Sequence, residues 1–295
     1  MTISDFERMF PNEEACRDYL FARRWPNGVR CPRCSNDHVY ESKAHPVRWQ
    51  CMKCGPKPRS PYRFALTTGT IFEESKKPLL MWFKVLHLMV TSKKGISALQ
   101  IHRMLGTGSY QTAWYMCMRL RAGMKDPDFR KLMGIVEVDE TYMGGLDKNR
   151  HWDKKRHIRG TGDKTPIIGA ISRKGNVVCQ MIERTDMPTL HRFVNRVVDK
   201  DKVELVATDE HSGYQYLSRW QNLPHETVNH REGQYVPGLV HTNTMESFWS
   251  LLKRGVMGTY HHVSAKYLPL YLAEFQFRFN NRKEADIFGK AIGGC

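Results

Sequence analysis

Hydrophobic positions change period along this chain. In its first part, apolar residues recur at three- and four-residue intervals, the spacing of helices. Asn12 can cap a helix running from Glu13 to about Phe21, with acidic residues in the first turn. Residues 60–75 read as a linker with short extended pieces, because Pro61, Thr67, Thr68 and Gly69 interrupt any regular period. Leu79 to Val90 is apolar nearly all round and predicts a buried helix. Ser97 before ALQIHRML and Gly106 after it supply a cap, an apolar face and a stop. The turn GTGS then leads into a helix from near Ser109 to about Met124. Its inner stripe is Ala113, Trp114, Cys117, Leu120 and Met124, with Arg119 and Arg121 off that stripe.

From Ile135 the period becomes two. IVEVD alternates and ends at Asp139. PIIGAIS (Pro166–Ser172) predicts a strand, and NVVCQMIE (Asn176–Glu183) its hairpin partner through Arg173-Lys174-Gly175. Met187 to Val198 is helical, with Leu190, Val194 and Val197 on one face; VELVAT then forms a strand that runs into Asp209. After a polar, irregular stretch, helices over Thr244–Lys253 and Leu268–Arg278 close the chain. Strand, hairpin, helix, strand, helix is an α/β order with a mixed sheet.

Cysteine spacing adds a module. Cys31-Pro-Arg-Cys34 and Cys51-Met-Lys-Cys54 are two C-x-x-C pairs separated by a zinc-site interval, and Val39-Tyr40 and Arg48-Trp49-Gln50 are short strands to carry them. Four thiolates make a closed tetrahedral Zn²⁺ site, which is structural rather than catalytic. The domain reading is therefore a zinc ribbon over residues 1–64, a helical segment over 65–130 and an α/β domain over 131–295.

Charge then narrows the partner. The formal net charge is +16, from 46 Lys and Arg against 30 Asp and Glu, which favours a polyanion. A membrane is disfavoured: the most apolar run, Leu79 to Val90, contains Lys84 and His87 and falls short of the roughly 20 residues a span needs. The start MTISDFERMF does not read as a signal peptide, so a cytoplasmic protein is expected, and a DNA partner would make it nucleoid-associated. Helix, short turn, helix is helix-turn-helix geometry, which sets Tyr110 and Gln111 near base edges of double-stranded DNA. Lys93, Lys94, Arg103, Arg119 and Arg121 surround them. A second basic stretch, Asp147 to Lys164, carries Lys148, Arg150, Lys154, Lys155, Arg156 and Arg159 and is also expected on DNA.

The candidate chemistry lies in carboxylates. Asp139 and Asp209 each close a strand, where α/β sheets commonly place site residues. Glu246 lies on a helix, and Lys253, two turns on, falls roughly 20° round from it. Such a set can hold Mg²⁺ (or Mn²⁺) for phosphoryl transfer, with Lys253 and the adjoining Arg254 on phosphate. Glu137, Glu140, Glu210, Asp163 and Asp186 read as surface charges beside it.

In this order, RWPNGVRCPRC with CMKC, the helical blocks TTGTIFEESKKPLLMWF, KKGISALQIHRMLG and TAWYMCMRLR, and the blocks VEVDETYMGG, ATDEHSGY and HTNTMESFWSLLKRGVMGTYHHVS resemble transposases of the IS1595 insertion-sequence family. The catalytic part of that family is called the ISXO2-like domain. The resemblance implies an RNase H-like fold and a DDE-type site, with the family's aspartates on Asp139 and Asp209, its third acidic position on Glu246 and its basic follower on Lys253. Some relatives carry Asn at the third position, and Asn243 lies one turn before Glu246 on the same side. The resemblance further implies cleavage at insertion-sequence ends, 3′-OH strand transfer into target DNA, and homo-oligomers on DNA. Two other classes fit parts of the pattern: a zinc-ribbon and helix-turn-helix regulator without catalysis, and an RNase H-like nuclease that does not join strands.

Overall fold

The computed structural model describes residues 1–42, 48–55, 60–125, 131–144, 164–228 and 241–295. It contains two compact units, Met1–Lys125 with Glu284–Cys295, and Asp126–Lys283. The last twelve residues, expected with the α/β domain, thus belong to the first unit, which also holds the ribbon and the helical segment together.

In the first unit, α1 (Ile3–Met9) begins at a Thr2/Asp5 capping box, and α2 (Glu13–Arg24) at Asn12, whose Oδ1 accepts from the Ala15 N–H at 2.9 Å. The ribbon is a three-stranded antiparallel sheet in the order β1 (Val39–Glu41), β2 (Arg48–Cys51), β3 (Tyr62–Ala65). Its third strand lies in the stretch expected to be a linker. Trp49 and Phe64 on its buried face stack beside Trp25 of the α2 C-cap, so large rings supply the core that so small a sheet lacks.

The buried helix α3 (Leu79–Thr91) follows Pro78, which cannot cap it; both Glu13 oxygens accept instead from the Leu79 and Leu80 N–H groups, at 2.8 and 2.9 Å. Phe10, Phe83 and Phe288 pack at ring distances of 5.0–5.4 Å, which joins α10 (Ile287–Gly293) to this core. α4 (Ala98–Leu105) and α5 (Tyr110–Gly123) begin at Ser97 and Ser109 caps, and Gly106 leaves α4 in the left-handed region at φ +59°. Buried Thr107 pins the turn between them, bonding to His102 Nδ1 at 2.9 Å and to the Ser109 carbonyl at 3.0 Å.

The second unit is a five-stranded mixed sheet covered by helices on both faces. β4 (Leu132–Met143), β5 (Thr165–Ser172) and β6 (Val177–Met181) form an antiparallel meander. α6 (Met187–Val197), capped by Asp186, then crosses over to β7 (Val198–Thr208), which lies parallel to β4, and β8 (His225–Thr227) adds a further parallel strand. The spatial order is β6-β5-β4-β7-β8, the RNase H-like arrangement with the first strand of the unit central. Alternation assigns the faces. Val136, Val138, Ile168 and Ala170 meet Leu190, Phe193 and Val194 of α6. Ile167, Ile171 and Val177 meet Phe248, Trp249 and Leu252 of α8 (Asn243–Gly255) and Leu272 and Phe275 of α9 (Leu268–Asn280). The irregular stretch after Asp209 contains a 3₁₀ turn (Ser212–Tyr214) and a short helix α7 (Leu217–Gln221) besides β8.

Candidate active site

β4 is longer than its alternation suggested. Asp139 is four residues from its end, not at it. What ends near Asp139 is the partner: β7 pairs with β4 as far as Glu137↔Ala207, while β4 continues against β5 through Asp139↔Gly169 to Met143↔Thr165. Two more residues along each parallel strand bring Asp139 and Asp209 side by side on one face, where the open edge of β4 begins. Asp209 is fixed there by the His211 N–H, which donates to its Oδ1 at 3.1 Å.

One carboxylate oxygen from each of Asp139, Glu140 and Asp209 lies within 4.8 Å of the others. Glu140 read as a surface charge from the sequence. It joins the cluster because it lies on the face towards the 3₁₀ turn, where the buried Tyr214 hydroxyl donates to its Oε1. Glu246 is outside this tight set but shares a cavity of about 360 Å³ with Asp139, Glu140, Trp249, Lys253 and Arg254. Asn243 opens the same helix and is exposed.

Burial, and then the Asp209 charge, raise the Asp139 carboxyl to about 6; the Glu140 N–H opposes this and the Glu246 charge adds to it. Burial raises Glu140 to about 8, against the Tyr214 hydrogen bond and with the help of Asp209 and Asp139. Crowded, half-buried carboxylates of this kind resist carrying their charges unless a cation joins them. An oxygen-only donor set at this spacing suits a hard divalent cation.

The four ribbon cysteines meet as the spacing predicted. The Cys31–Cys54 and Cys34–Cys51 sulfur pairs are 3.5 and 3.7 Å apart, near the edge of a tetrahedron with bonds of about 2.3 Å, as zinc thiolates make.

A family model described as the ISXO2-like transposase domain matches residues 131–280. The chain belongs to this transposase family. The family's zinc ribbon is present too, since a model described as the transposase zinc-ribbon domain matches residues 11–57. Among relatives, the transposase chain is 29% identical over 287 residues to an uncharacterized protein in transposable element ISH50 of Halobacterium salinarum, covering 92% of each. Solved structures also match, two of them as follows. The catalytic core domain of BIV integrase aligns at 16% identity and TM-score 0.31, over 48% of this chain and 80% of that one. The Mos1 strand transfer complex aligns at 14% and 0.32, over 75% and 76%. Family membership and the acidic cluster together make this a DDE-type transposase site whose carboxylates suit a divalent metal, and the four ribbon cysteines suit structural zinc.

Of the residues expected on DNA, Arg103, Tyr110, Gln111, Lys253 and Arg254 are exposed. Arg119 is half-buried, and its guanidinium donates to the Glu73 carbonyl at 3.1 Å and the Tyr115 hydroxyl at 2.9 Å. Arg121 corrects an expectation: it is only 1% exposed, so it lies on the buried side of α5 with Met116 and Met118, whereas Trp114 is half-buried. Lys148, Arg150, Lys154, Lys155, Arg156 and Arg159 lie outside the described residues. No helix among the described residues is long and apolar enough to cross a membrane.

Glu137 was read as a surface charge. It is fully buried and bonded to Arg173, Thr244 and Met245. The available signal was a charge between two core valines in a strand covered on both faces.

Proposed function

We propose that this protein cleaves DNA at insertion-sequence ends and joins the freed 3′-hydroxyl to target DNA, using two Mg²⁺ or Mn²⁺ ions. The observation that carries this reading is the convergence of Asp139, Glu140 and Asp209 oxygens within 4.8 Å, beside a cavity that Glu246 and Lys253 enter. When bound, such ions activate the attacking oxygen and offset charge on the leaving one. Asp139 on β4 and Asp209 just past the end of β7 would hold the ions between them. Glu140, oriented by Tyr214, supplies a further oxygen, and Glu246 completes the shell from α8. Lys253 and Arg254, in the last turn of α8, bind the phosphates that flank the scissile bond. The α4–α5 pair reads terminal-repeat DNA, with Tyr110 and Gln111 at base edges and Arg103 on the backbone. Two ends must be handled together, so the working form is a homo-oligomer on DNA, in the cytoplasm.

Asp139→Asn and Asp209→Asn variants test this with end-labelled duplexes. Both should bind terminal DNA as the unaltered protein does and lose cleavage and joining by about a thousandfold or more. Mg²⁺-dependent cleavage retained in either variant overturns the site. With the unaltered protein, binding alone would indicate a regulator, and nicking without joined product a nuclease.

A further inference from the structure

α8 carries the ligand that the tight cluster lacks, and it starts without a cap of its own. Thr242 occupies the N-cap position and makes no side-chain cap hydrogen bond. The N–H groups such a cap would take are instead held from the sheet. Glu137 Oε2 accepts from Thr244 N–H at 2.8 Å and Met245 N–H at 3.0 Å, and Oε1 accepts from the Thr244 hydroxyl at 2.9 Å. Arg173 Nε donates to Oε1 at 2.8 Å and its terminal nitrogen to the His241 carbonyl at 3.1 Å, while His241 Nδ1 lies 3.2 Å from Oε1. All of these but the Arg173–His241 bond converge on Glu137, whose side chain has no exposed surface.

The position of this clasp matters more than its strength. Burying an ion pair is often no more stabilising than burying apolar side chains of the same volume. This one, however, sits two residues before Asp139 on the same face of β4, and it holds the residue immediately before Glu246 in the first turn of α8. It therefore connects the strand that carries Asp139 directly to the first turn of the helix that carries Glu246. A change in that connection moves Glu246 relative to Asp139 and Asp209, while the apolar contacts of α8 further along would hold the helix on the sheet.

We propose that Glu137 is a positioning residue of the metal site, a strand-borne cap that sets where α8 begins and so where Glu246 stands. This rests on the reading of Glu246 as a ligand. The test is a double-mutant cycle on the full chain, with Mn²⁺ affinity measured by calorimetry and folding checked by circular dichroism. Glu246→Gln alone should weaken Mn²⁺ about tenfold or more, and Glu137→Gln, which touches no ion, should weaken it about 10–100-fold. Combined, the two losses should not multiply: in the Glu137→Gln background, Glu246→Gln should add less than about threefold. Thr244→Ala removes only the hydroxyl bond and serves if Glu137→Gln does not fold; it should give the same non-multiplying pattern with a loss of about threefold. Losses that multiply, or unchanged affinity in a folded Glu137→Gln protein, overturn the positioning role and leave the ligand reading intact. Unchanged affinity on Glu246→Gln in the otherwise unaltered chain overturns the ligand reading, and the positioning role with it.

Discussion

Asp139 and Glu140 are adjacent in sequence yet sit on opposite faces of β4, and both titrate far from their ordinary values of 3.8 and 4.5. Divalent cations bind the deprotonated forms, so Mn²⁺ affinity should climb as pH rises from about 6 to about 8, with protons released on binding. Calorimetry in buffers of different ionisation enthalpy measures both. The metal-free protein should respond in the opposite sense. Both carboxyls are raised, so at these two groups the folded state binds more protons than the unfolded one between their ordinary and raised values. Their contribution to stability falls as pH rises through that window, against the histidines His87, His191 and His225, whose values burial lowers and which act in the other direction. Urea unfolding at pH 5 and pH 8 reads this as a difference: relative to Asp139→Asn, the unaltered protein should lose stability between the two pH values. Equal pH dependence in the metal-free Asp139→Asn and unaltered proteins would contradict the crowding described for these carboxylates.

At the level of elements, β5 and α8 meet at Gly169, the register partner of Asp139. A Cβ there would lie 2.4 Å from Met245 Cε and 2.8 Å from the Trp249 ring. The methionine end can swing away, but Trp249 is 3% exposed and belongs to the core between β5 and α8. Gly169→Ala should therefore cost about 1–3 kcal/mol, read as a lower thermal midpoint. It should also lift α8 and weaken Mn²⁺ binding, whereas Ala at exposed Gly258, which meets nothing within 4 Å, should do neither. Glycine at this strand position lets the Trp249 ring approach the sheet beside the carboxylates, within a distance that a side chain at 169 would occupy.

For the whole molecule, charge and site are separate devices. The net charge of +16 is spread over the chain, whereas the catalytic cavity gathers carboxylates. Long-range attraction favours DNA, and cations held by the acidic cluster would offset its repulsion of the phosphates. DNA binding should consequently lose affinity linearly in log salt, with a slope near −0.9 per phosphate contacted. Filter binding or fluorescence anisotropy across a salt series gives that slope. Arg103→Ala should reduce its magnitude by about one and weaken binding to all sequences alike, while Gln111→Ala should relax sequence preference and leave the slope unchanged. Equal salt slopes for Arg103→Ala and the unaltered protein would remove Arg103 from the phosphate contacts.

Local patterns determined much of this protein. Caps at Asn12, Ser97 and Ser109, the stop at Gly106, the alternating core of β5 and the paired cysteines all act within a few residues, so they can be read in order along the chain. Asp139 and Asp209 were legible for the same reason, as charges where apolar runs give way. Partners distant in sequence decided the rest. Glu140 became part of the cluster through Tyr214, Glu137 became a helix cap through residues more than a hundred positions away, and Arg121 turned inward on α5. A carboxylate reads the same in sequence whether it meets water, a helix end or a cation. Only the closing of β4 against β5, β7 and α8 supplies the neighbours that separate those roles.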